Sequence, residues 1–196
     1  LVVQGNVGNL EKVYAETRGL YREEILRRYF RLTRQGLEQT PGRAPDFAVW
    51  PETAFPDAIL PGRLHEGYSG ALSNFLRFQG TALVTGAIGR EAARGKPTNS
   101  MFFLNRDGGM ADAPYDKVHL LIFGEYFPFS DRFPVLMEWF PYTGDFARGP
   151  GPEARRIGGI LVGPQICYEG LFPGFSRGLA ERGAQIFVNV TNDSWF

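Results

Sequence analysis

One glutamate, one lysine and one cysteine follow predicted strands, and their chemistry is complementary. Cys167 is the only cysteine among the 196 residues and comes directly after the apolar run ILVGPQI. Glu52 follows the strand-like run DFAVW, and Lys117 follows a strand predicted to end near Tyr115. Because a sheet holds its strand ends rigidly while the loops beyond them vary, such positions often carry functional sites. We therefore expect the carboxylate, the ammonium and the thiol to converge.

These three residue types suit acyl transfer through a covalent intermediate. A thiol with an ordinary pKa of about 8.5 is mostly protonated at neutral pH, so a nucleophilic cysteine needs a base or a nearby cation. Glu52 can accept the thiol proton, and Lys117 can stabilise negative charge. After attack on a carbonyl, the Lys117 ammonium and the backbone N–H of Tyr168 can stabilise the oxyanion, and one such donor typically contributes about 3 kcal/mol.

Each of these residues also has an ordinary structural explanation. A lone cysteine beside an apolar strand is more often an inert buried side chain. Glu52 can solvate a turn, and Lys117 can pair with Asp116 at the surface, a contact worth at most about 1 kcal/mol. His119 is a rival base, since Cys–His pairs are common nucleophilic arrangements. Residue types alone favour a Cys–His pair and a Cys–Glu–Lys set equally.

Short β-rich runs alternate with helical patterns along the chain, which predicts a single α/β domain. Pro51 lacks an amide donor and should end the strand before it. We predict helices over residues 17–39, 63–78 and 172–182. We predict strands over residues 1–4, 46–50, 81–90, 99–108, 110–115, 154–166 (two paired strands) and 184–191, the first and the last of them buried.

Composition excludes several classes of protein. The formal net charge is zero and no basic run occurs, which disfavours nucleic-acid binding. No apolar run is long enough to span a membrane, and no signal peptide is recognisable. A single cysteine cannot form an internal disulfide, and no cluster of cysteine and histidine indicates a metal site. The chain begins without methionine inside an apolar run and ends at TNDSWF, so we interpret it as a fragment.

Four stretches together resemble the nitrilase superfamily. They are WPETAFP (50–56), YDKVHLLIFGEYFPF (115–129), QICYEGLFP (165–173) and NVTNDSWF (189–196). The FGEYFPF continuation, the ICYE-x-x-FP pattern and the TNDSWF ending resemble most closely the apolipoprotein N-acyltransferase branch. Ile122 departs from the branch, where a proline is usual, and this substitution can alter the loop that places Glu125.

The resemblance implies an αββα sandwich and favours glutamate over His119 as the base. Carried over by position, it makes Cys167 the acyl-accepting nucleophile, Glu52 the general base and Lys117 the stabiliser of tetrahedral intermediates. It also implies supporting roles for Glu125, Tyr168 and Glu169.

The resemblance further implies a reaction in two halves. Cys167 takes a fatty acyl chain from a phospholipid and passes it to the α-amino group of the N-terminal cysteine of a diacylated apolipoprotein, without a cofactor. Residues 1–196 would then be one catalytic domain, incomplete at its C-terminus, of a bacterial inner-membrane protein whose spanning helices precede it and whose catalytic domain faces the periplasm. The alternatives are a soluble nitrilase-type amidase or carbamoylase, and an inactive binding domain with the same fold.

An aromatic segment over residues 121–146 suits an acyl substrate. Its aromatic residues are too many and too irregularly spaced for one helix face or one strand. We expect some to line an acyl pocket or to contact lipid, with Phe123, Trp139 and Phe140 as the candidates. Packing beneath a proline-rich loop is the alternative for each of them.

Overall fold

The computed structural model shows two β-sheets, with helices packed on the first sheet and a helix beside the second. It describes residues 1–8, 11, 14, 18–39, 42, 44–90, 95–128 and 144–192. The arrangement is the α/β fold of αββα type that the sequence predicts. No helix formed by the described residues is both long and apolar enough to cross a lipid bilayer.

The first sheet has four strands and the second has three. In the first sheet the order is β1 (Ala48–Val49), β2 (Leu83–Arg90), β3 (Pro97–Leu104) and β4 (Tyr115–Asp116). β1 is parallel to β2, and the other two pairings are antiparallel. In the second sheet the order is β5 (Arg155–Ile157), β6 (Ile160–Ile166) and β7 (Ile186–Val190), with β6 and β7 parallel.

Three α-helices are described: α1 (Arg22–Glu38), α2 (Gly67–Gln79) and α3 (Pro173–Glu181). Their positions confirm the three predicted helices to within a few residues at each end. α1 buries Tyr29, whose ring stacks on Trp50 with 4.8 Å between ring centres. Trp50 also donates from Nε1 to the hydroxyl of Thr33 at 2.9 Å. The buried face of α1 therefore packs on the segment that leads into the turn after β1.

Alternation along β3 separates two apolar cores. Phe102 and Leu104 belong to the cluster that includes the buried residues of α1 and α2. Met101 and Phe103 belong to the cluster that includes residues of β6 and α3. Because side chains alternate across a strand, Asn99 shares the face of Met101 and Phe103, toward the second sheet.

The predictions for the first strand and for the last strand need correction. At the amino end, the described residues form an isolated bridge, Val2 with Val49, in place of a strand; Val3 is buried, as predicted, but Val2 is 81% exposed. The last strand is present as β7, but Ile186 and Phe187 are exposed rather than buried. Apolar composition predicted burial there, whereas β7 pairs only with β6 in the described part of the chain.

Candidate active site

Glu52 lies on a turn that follows β1 and is held against β2. The carbonyl of Pro51 accepts hydrogen bonds from the N–H of Ala54 (3.3 Å) and of Gly86 (3.2 Å). A Cβ on Gly86 would lie 2.6 Å from the Glu52 Cα, so only glycine allows β2 to approach the turn this closely. Glu52 is 2% exposed, which places its carboxylate inside the protein.

Lys117 directly follows β4 and pairs with two carboxylates. Its N–H donates to the carbonyl of Asn99 (2.8 Å), and its own carbonyl accepts from the N–H of Gly149 (2.9 Å). Its Nζ lies 2.9 Å from Glu125 Oε2 and 3.5 Å from Glu52 Oε1. The side chain is 2% exposed, so these charges interact with little screening by water.

Asn99, on β3, connects the same two carboxylates. Its Nδ2 donates to Glu52 Oε1 at 2.7 Å and to Glu125 Oε1 at 2.6 Å. Its Oδ1 is buried and has no hydrogen-bond partner among the described residues. Asn99 is absent from the residues predicted above, although a polar residue on the face of Met101 and Phe103 must find partners inside the protein.

Each of the two carboxylates also accepts a hydrogen bond from a backbone N–H group. Glu125 Oε2 accepts from the N–H of Leu121 at 2.8 Å, and the N–H of Glu125 donates to the carbonyl of Leu121 at 2.8 Å, which closes the turn. Glu52 Oε2 accepts from the N–H of Asn192 at 3.0 Å. Because Asn192 follows β7, the second sheet also helps to hold the carboxylate.

Burial and charge together shift the pKa values of Glu52 and Lys117 upward. Burial raises the pKa of Glu52, because removal from water disfavours the charged carboxylate more than Lys117 and Asn99 favour it. Burial lowers the pKa of Lys117, but the charges of Glu52 and Glu125 outweigh this effect and the net shift is upward. The lysine therefore remains cationic, and Glu52 is a stronger proton acceptor than an exposed glutamate.

Cys167 directly follows β6 and is the first residue of a short 3-10 turn, Cys167–Leu171. Its φ of 58° is in the left-handed region, where a non-glycine residue is strained, and such strain concentrates at functional sites. The residue is partly buried. Negative charge on Cys167 raises the pKa of Lys117, as the two carboxylates do more strongly and against the lowering effect of burial. Lys117 Nζ lies 5.4 Å from the ring centre of Tyr168, the residue after Cys167. The cysteine and the lysine therefore lie in one neighbourhood.

Glu169 is fully buried and ties the cysteine turn to the lysine segment. Its Oε1 accepts from the N–H groups of Val118 (2.7 Å) and His119 (3.0 Å). Its Oε2 accepts from the hydroxyl of Tyr115 (2.9 Å) and the N–H of Ile166 (2.9 Å). Each oxygen has two donors, so the carboxylate fixes these segments relative to each other.

His119, the rival base, lies in an aromatic cluster. Its ring centre is 4.4 Å from that of Phe172 and 5.3 Å from that of Phe175. Within the described residues no hydrogen bond joins His119 to Cys167. The contacts of its side chain therefore indicate packing, in contrast to those of Glu52.

Of the three predicted lipid contacts, the structure describes only Phe123. Phe123 is 63% exposed on the turn that carries Glu125, and Ile122 beside it is also exposed. Trp139 and Phe140 lie outside the described residues. Apolar surface is therefore present on the turn that follows the lysine.

Residues 144–149, here called the strap, run along both segments that carry site residues. The strap donates backbone hydrogen bonds from Gly144 to the carbonyl of Gly124 (2.8 Å), from Phe146 to that of Glu125 (3.0 Å) and from Gly149 to that of Lys117 (2.9 Å). It therefore joins the lysine to the glutamate turn. No motif in the sequence indicates these bonds, because they connect segments that are distant along the chain.

Comparison with protein families and curated relatives gives consistent matches along the chain. The family model described as carbon-nitrogen hydrolase matches residues 3–196. A protein of Bdellovibrio bacteriovorus named apolipoprotein N-acyltransferase is 43% identical, over 100% of this chain and 37% of its own length. A protein of the same name from Geobacter metallireducens is 33% identical, over 90% of this chain and 33% of its own length. The chain thus spans about a third of these relatives.

Solved structures share the fold at low sequence identity. A carbon-nitrogen hydrolase from Helicobacter pylori G27 has a TM-score of 0.61 at 22% identity, covering 87% of this chain and 55% of its own. An amidase from Nesterenkonia sp. AN1, with acrylamide added at its active-site cysteine, has a TM-score of 0.57 at 20% identity, covering 97% of this chain and 65% of its own. These likenesses confirm the fold alone.

Proposed function

This chain belongs to the carbon-nitrogen hydrolase family, and from that premise we propose that it is the catalytic part of an N-acyltransferase. The enzyme would move a fatty acyl chain from a phospholipid, through a thioester on Cys167, to the α-amino group of the N-terminal cysteine of an apolipoprotein. The choice of reaction depends on one observation, the similarity along the whole chain to a protein named apolipoprotein N-acyltransferase. The geometry around Lys117 supports a covalent route.

In the first half of the proposed reaction, Glu52 accepts the thiol proton of Cys167 and the sulfur attacks the ester carbonyl of the phospholipid. The Lys117 ammonium stabilises the resulting oxyanion. As the carbon–oxygen bond breaks, Glu52 returns the proton to the departing alcohol, which leaves as lysophospholipid. The acyl chain remains on Cys167 as a thioester.

In the second half, the acceptor amine attacks the thioester carbonyl. Glu52 accepts a proton from the attacking nitrogen, the carbon–sulfur bond breaks, and the product is an amide. The proton on Glu52 returns to the Cys167 sulfur, so the enzyme regains its starting state. One site can serve both halves because the first product leaves before the acceptor enters.

Supporting residues hold this arrangement. Asn99 fixes Glu52 and Glu125 by donating to both, and Glu125 holds the Lys117 ammonium at 2.9 Å. Tyr168 places a ring beside that ammonium. These contacts predefine the position of the cation, so little reorganisation is needed when negative charge develops on the substrate.

Exposed apolar side chains support a lipid as the acyl donor. Ile122 and Phe123 are exposed on the turn after Lys117, and Leu171 and Phe172 are exposed at the end of the cysteine turn. Clustered exposed apolar surface is typical of sites that meet lipid or protein partners. In this proposal the chain is one domain of a larger bacterial inner-membrane protein and faces the periplasm.

The test is to incubate the full-length protein with phospholipid and to examine Cys167 by mass spectrometry. We expect a fatty acyl adduct on Cys167 in the wild type and none in Cys167→Ser. An apolipoprotein peptide with a free N-terminal amine should then discharge the adduct and gain the acyl chain.

The amidase alternative makes the opposite prediction for the same protein. An amidase would release ammonia from a small amide and form no adduct with phospholipid. That result would overturn the acyltransferase proposal while leaving a nucleophilic role for Cys167 intact. An inactive binding domain would give neither product.

A further inference from the structure

The strap presents an exposed guanidinium beside the candidate active site. Arg148 is exposed, and the N–H of the adjacent Gly149 donates a hydrogen bond to the carbonyl of Lys117 at 2.9 Å. The guanidinium carbon lies 4.3 Å from the ring centre of Tyr126. The hydrogen bond of Gly149 fixes the backbone next to Arg148, and the Tyr126 ring fixes the guanidinium, since a guanidinium stacks favourably on an aromatic face.

Tyr126 places this cation beside the turn that carries Glu125. Tyr126 follows Glu125, whose carboxylate is 2.9 Å from the Lys117 ammonium. The Tyr168 ring centre is in turn 5.4 Å from Lys117 Nζ. Arg148 is therefore adjacent to a residue bonded to the lysine segment, stacks on the glutamate turn and is open to solvent.

The charge on Arg148 is available to a ligand. The neighbouring cation Lys96 pairs with Asp145 at 2.8 Å. Among the described residues no carboxylate lies within ion-pair distance of Arg148. Stacking occupies the face of the guanidinium and leaves its N–H edge to bind an anion with two parallel hydrogen bonds.

We propose that Arg148 binds the phosphate of the phospholipid acyl donor. This inference rests on the proposed function and names the part of the substrate that the strap recognises. A phosphate oxygen pair matches the planar fork of a guanidinium. In a glycerophospholipid the phosphate and the acyl ester are separated by only the glycerol backbone, so a phosphate held at Arg148 leaves the ester free to extend toward Lys117 and Cys167.

The experiment compares two acyl donors in the full-length protein. One is a phosphatidylglycerol, and the other is a p-nitrophenyl ester of the same fatty acid, which carries no phosphate. The rate of acylation of Cys167 is followed by mass spectrometry in the wild type, Arg148→Gln and Arg148→Lys. Arg156→Gln, at an exposed arginine on β5, serves as the matched control.

We expect Arg148→Gln to raise the KM for phosphatidylglycerol by about 10-fold to 100-fold, as for loss of a hydrogen bond to a charged group. The nitrophenyl ester should be used at the wild-type rate. Arg148→Lys should retain part of the affinity, because it keeps the charge but not the fork. Arg156→Gln should match the wild type on both donors.

Binding without chemistry separates this inference from the proposed function. In the Cys167→Ser background, calorimetric titration with a soluble short-chain phosphatidylglycerol should show binding that Arg148→Gln weakens. Equal losses on both donors, or unchanged use of phosphatidylglycerol, would overturn the role of Arg148 even if the Cys167 adduct forms normally. Inorganic phosphate that binds as tightly as the lipid would show a site for free phosphate, and would overturn the lipid assignment.

Discussion

Glu52 and Glu169 are both buried, with exposed fractions of 2% and 0%, yet their surroundings differ. Glu169 accepts four hydrogen bonds, all from uncharged N–H and O–H groups. Glu52 instead shares the Lys117 ammonium and the Asn99 amide with a second carboxylate, Glu125. The same residue type therefore fixes backbone segments in one region and can exchange a proton in the other.

Burial and the charges around Glu52 determine how readily it accepts a proton. Glu52 and Glu125 carry two negative charges when ionised, and Lys117 carries one positive charge, so one negative charge is in excess inside the protein. Burial is the main cause of the raised pKa of Glu52, Lys117 opposes it, and the charge of Glu125 adds to the rise. In the proposed mechanism, transfer of the Cys167 proton to Glu52 moves the negative charge to the sulfur without adding a buried charge.

The comparison of Glu52 with Glu169 predicts the largest effect for substitution of Glu52, on the rate of Cys167 acylation. We expect Glu52→Gln to slow acylation of Cys167 by roughly 10²-fold to 10⁴-fold, the usual contribution of a general base. The amide oxygen can still accept the Asn99 hydrogen bond, and the NH₂ group faces one donor, the N–H of Asn192, so the free energy of unfolding should fall by about 1–3 kcal/mol. Single-turnover mass spectrometry and urea denaturation of the same sample measure the two quantities. A folded variant with normal acylation would remove Glu52 from the mechanism.

A smaller loss is expected at Lys117. Lys117→Met should reduce acylation by about 10²-fold to 10³-fold, the effect of removing one donor to an oxyanion. It also leaves Glu52 and Glu125 without their cation, so the pKa of Glu52 should rise further. The pH dependence of Cys167 acylation should therefore shift to higher pH. An unshifted profile would argue against the coupling of these charges.

The region around Glu169 should respond in stability. Glu169→Gln replaces one carboxylate oxygen by an NH₂ group that faces two donors, so we expect a loss of about 4 kcal/mol in the free energy of unfolding, at about 1–3 kcal/mol for each unsatisfied donor. Urea denaturation followed by circular dichroism measures it. Glu52→Gln provides the matched control. An equal loss in both variants would contradict the claim that Glu169 contributes more to stability than Glu52.

The smallest effect is expected at Tyr115, one of the four donors to Glu169. Tyr115→Phe removes a single hydrogen bond to a charged group and should lower the free energy of unfolding by about 1.5–3 kcal/mol. Combined with Glu169→Gln, it should cost less than the sum of the two, because both variants break the same bond. Strict additivity in that double-mutant cycle would contradict the shared bond.

Local pattern was sufficient for much of the fold. The helix predicted over residues 17–39 and the paired strands before Cys167 depend on residues near one another in the chain, and both are present. Composition was a poorer guide to burial, because the apolar residues Ile186 and Phe187 of β7 are exposed. Whether an apolar strand is buried depends on what covers it, which its own sequence does not state.

The site was partly predictable for a similar reason. Strand ends indicated where Glu52 and Lys117 would meet, and the structure places them 3.5 Å apart. Asn99 was not predicted, because its role requires knowing which face of β3 meets the second sheet. The strap was not predicted either, since its hydrogen bonds to Lys117 and the glutamate turn are between segments far apart in sequence.

The pH dependence of Cys167 acylation tests the central claim, that Glu52 accepts the thiol proton, most directly. The donor is the uncharged nitrophenyl ester, so that substrate ionisation does not contribute. Because Glu52 must be ionised to accept a proton and its pKa is raised, the wild-type rate should fall as the pH decreases through a value above the usual range of glutamate. In Glu52→Gln this acid limb should be absent and the residual rate should increase with ionisation of the thiol. The same acid limb in both proteins would show that another group accepts the proton and would contradict the account.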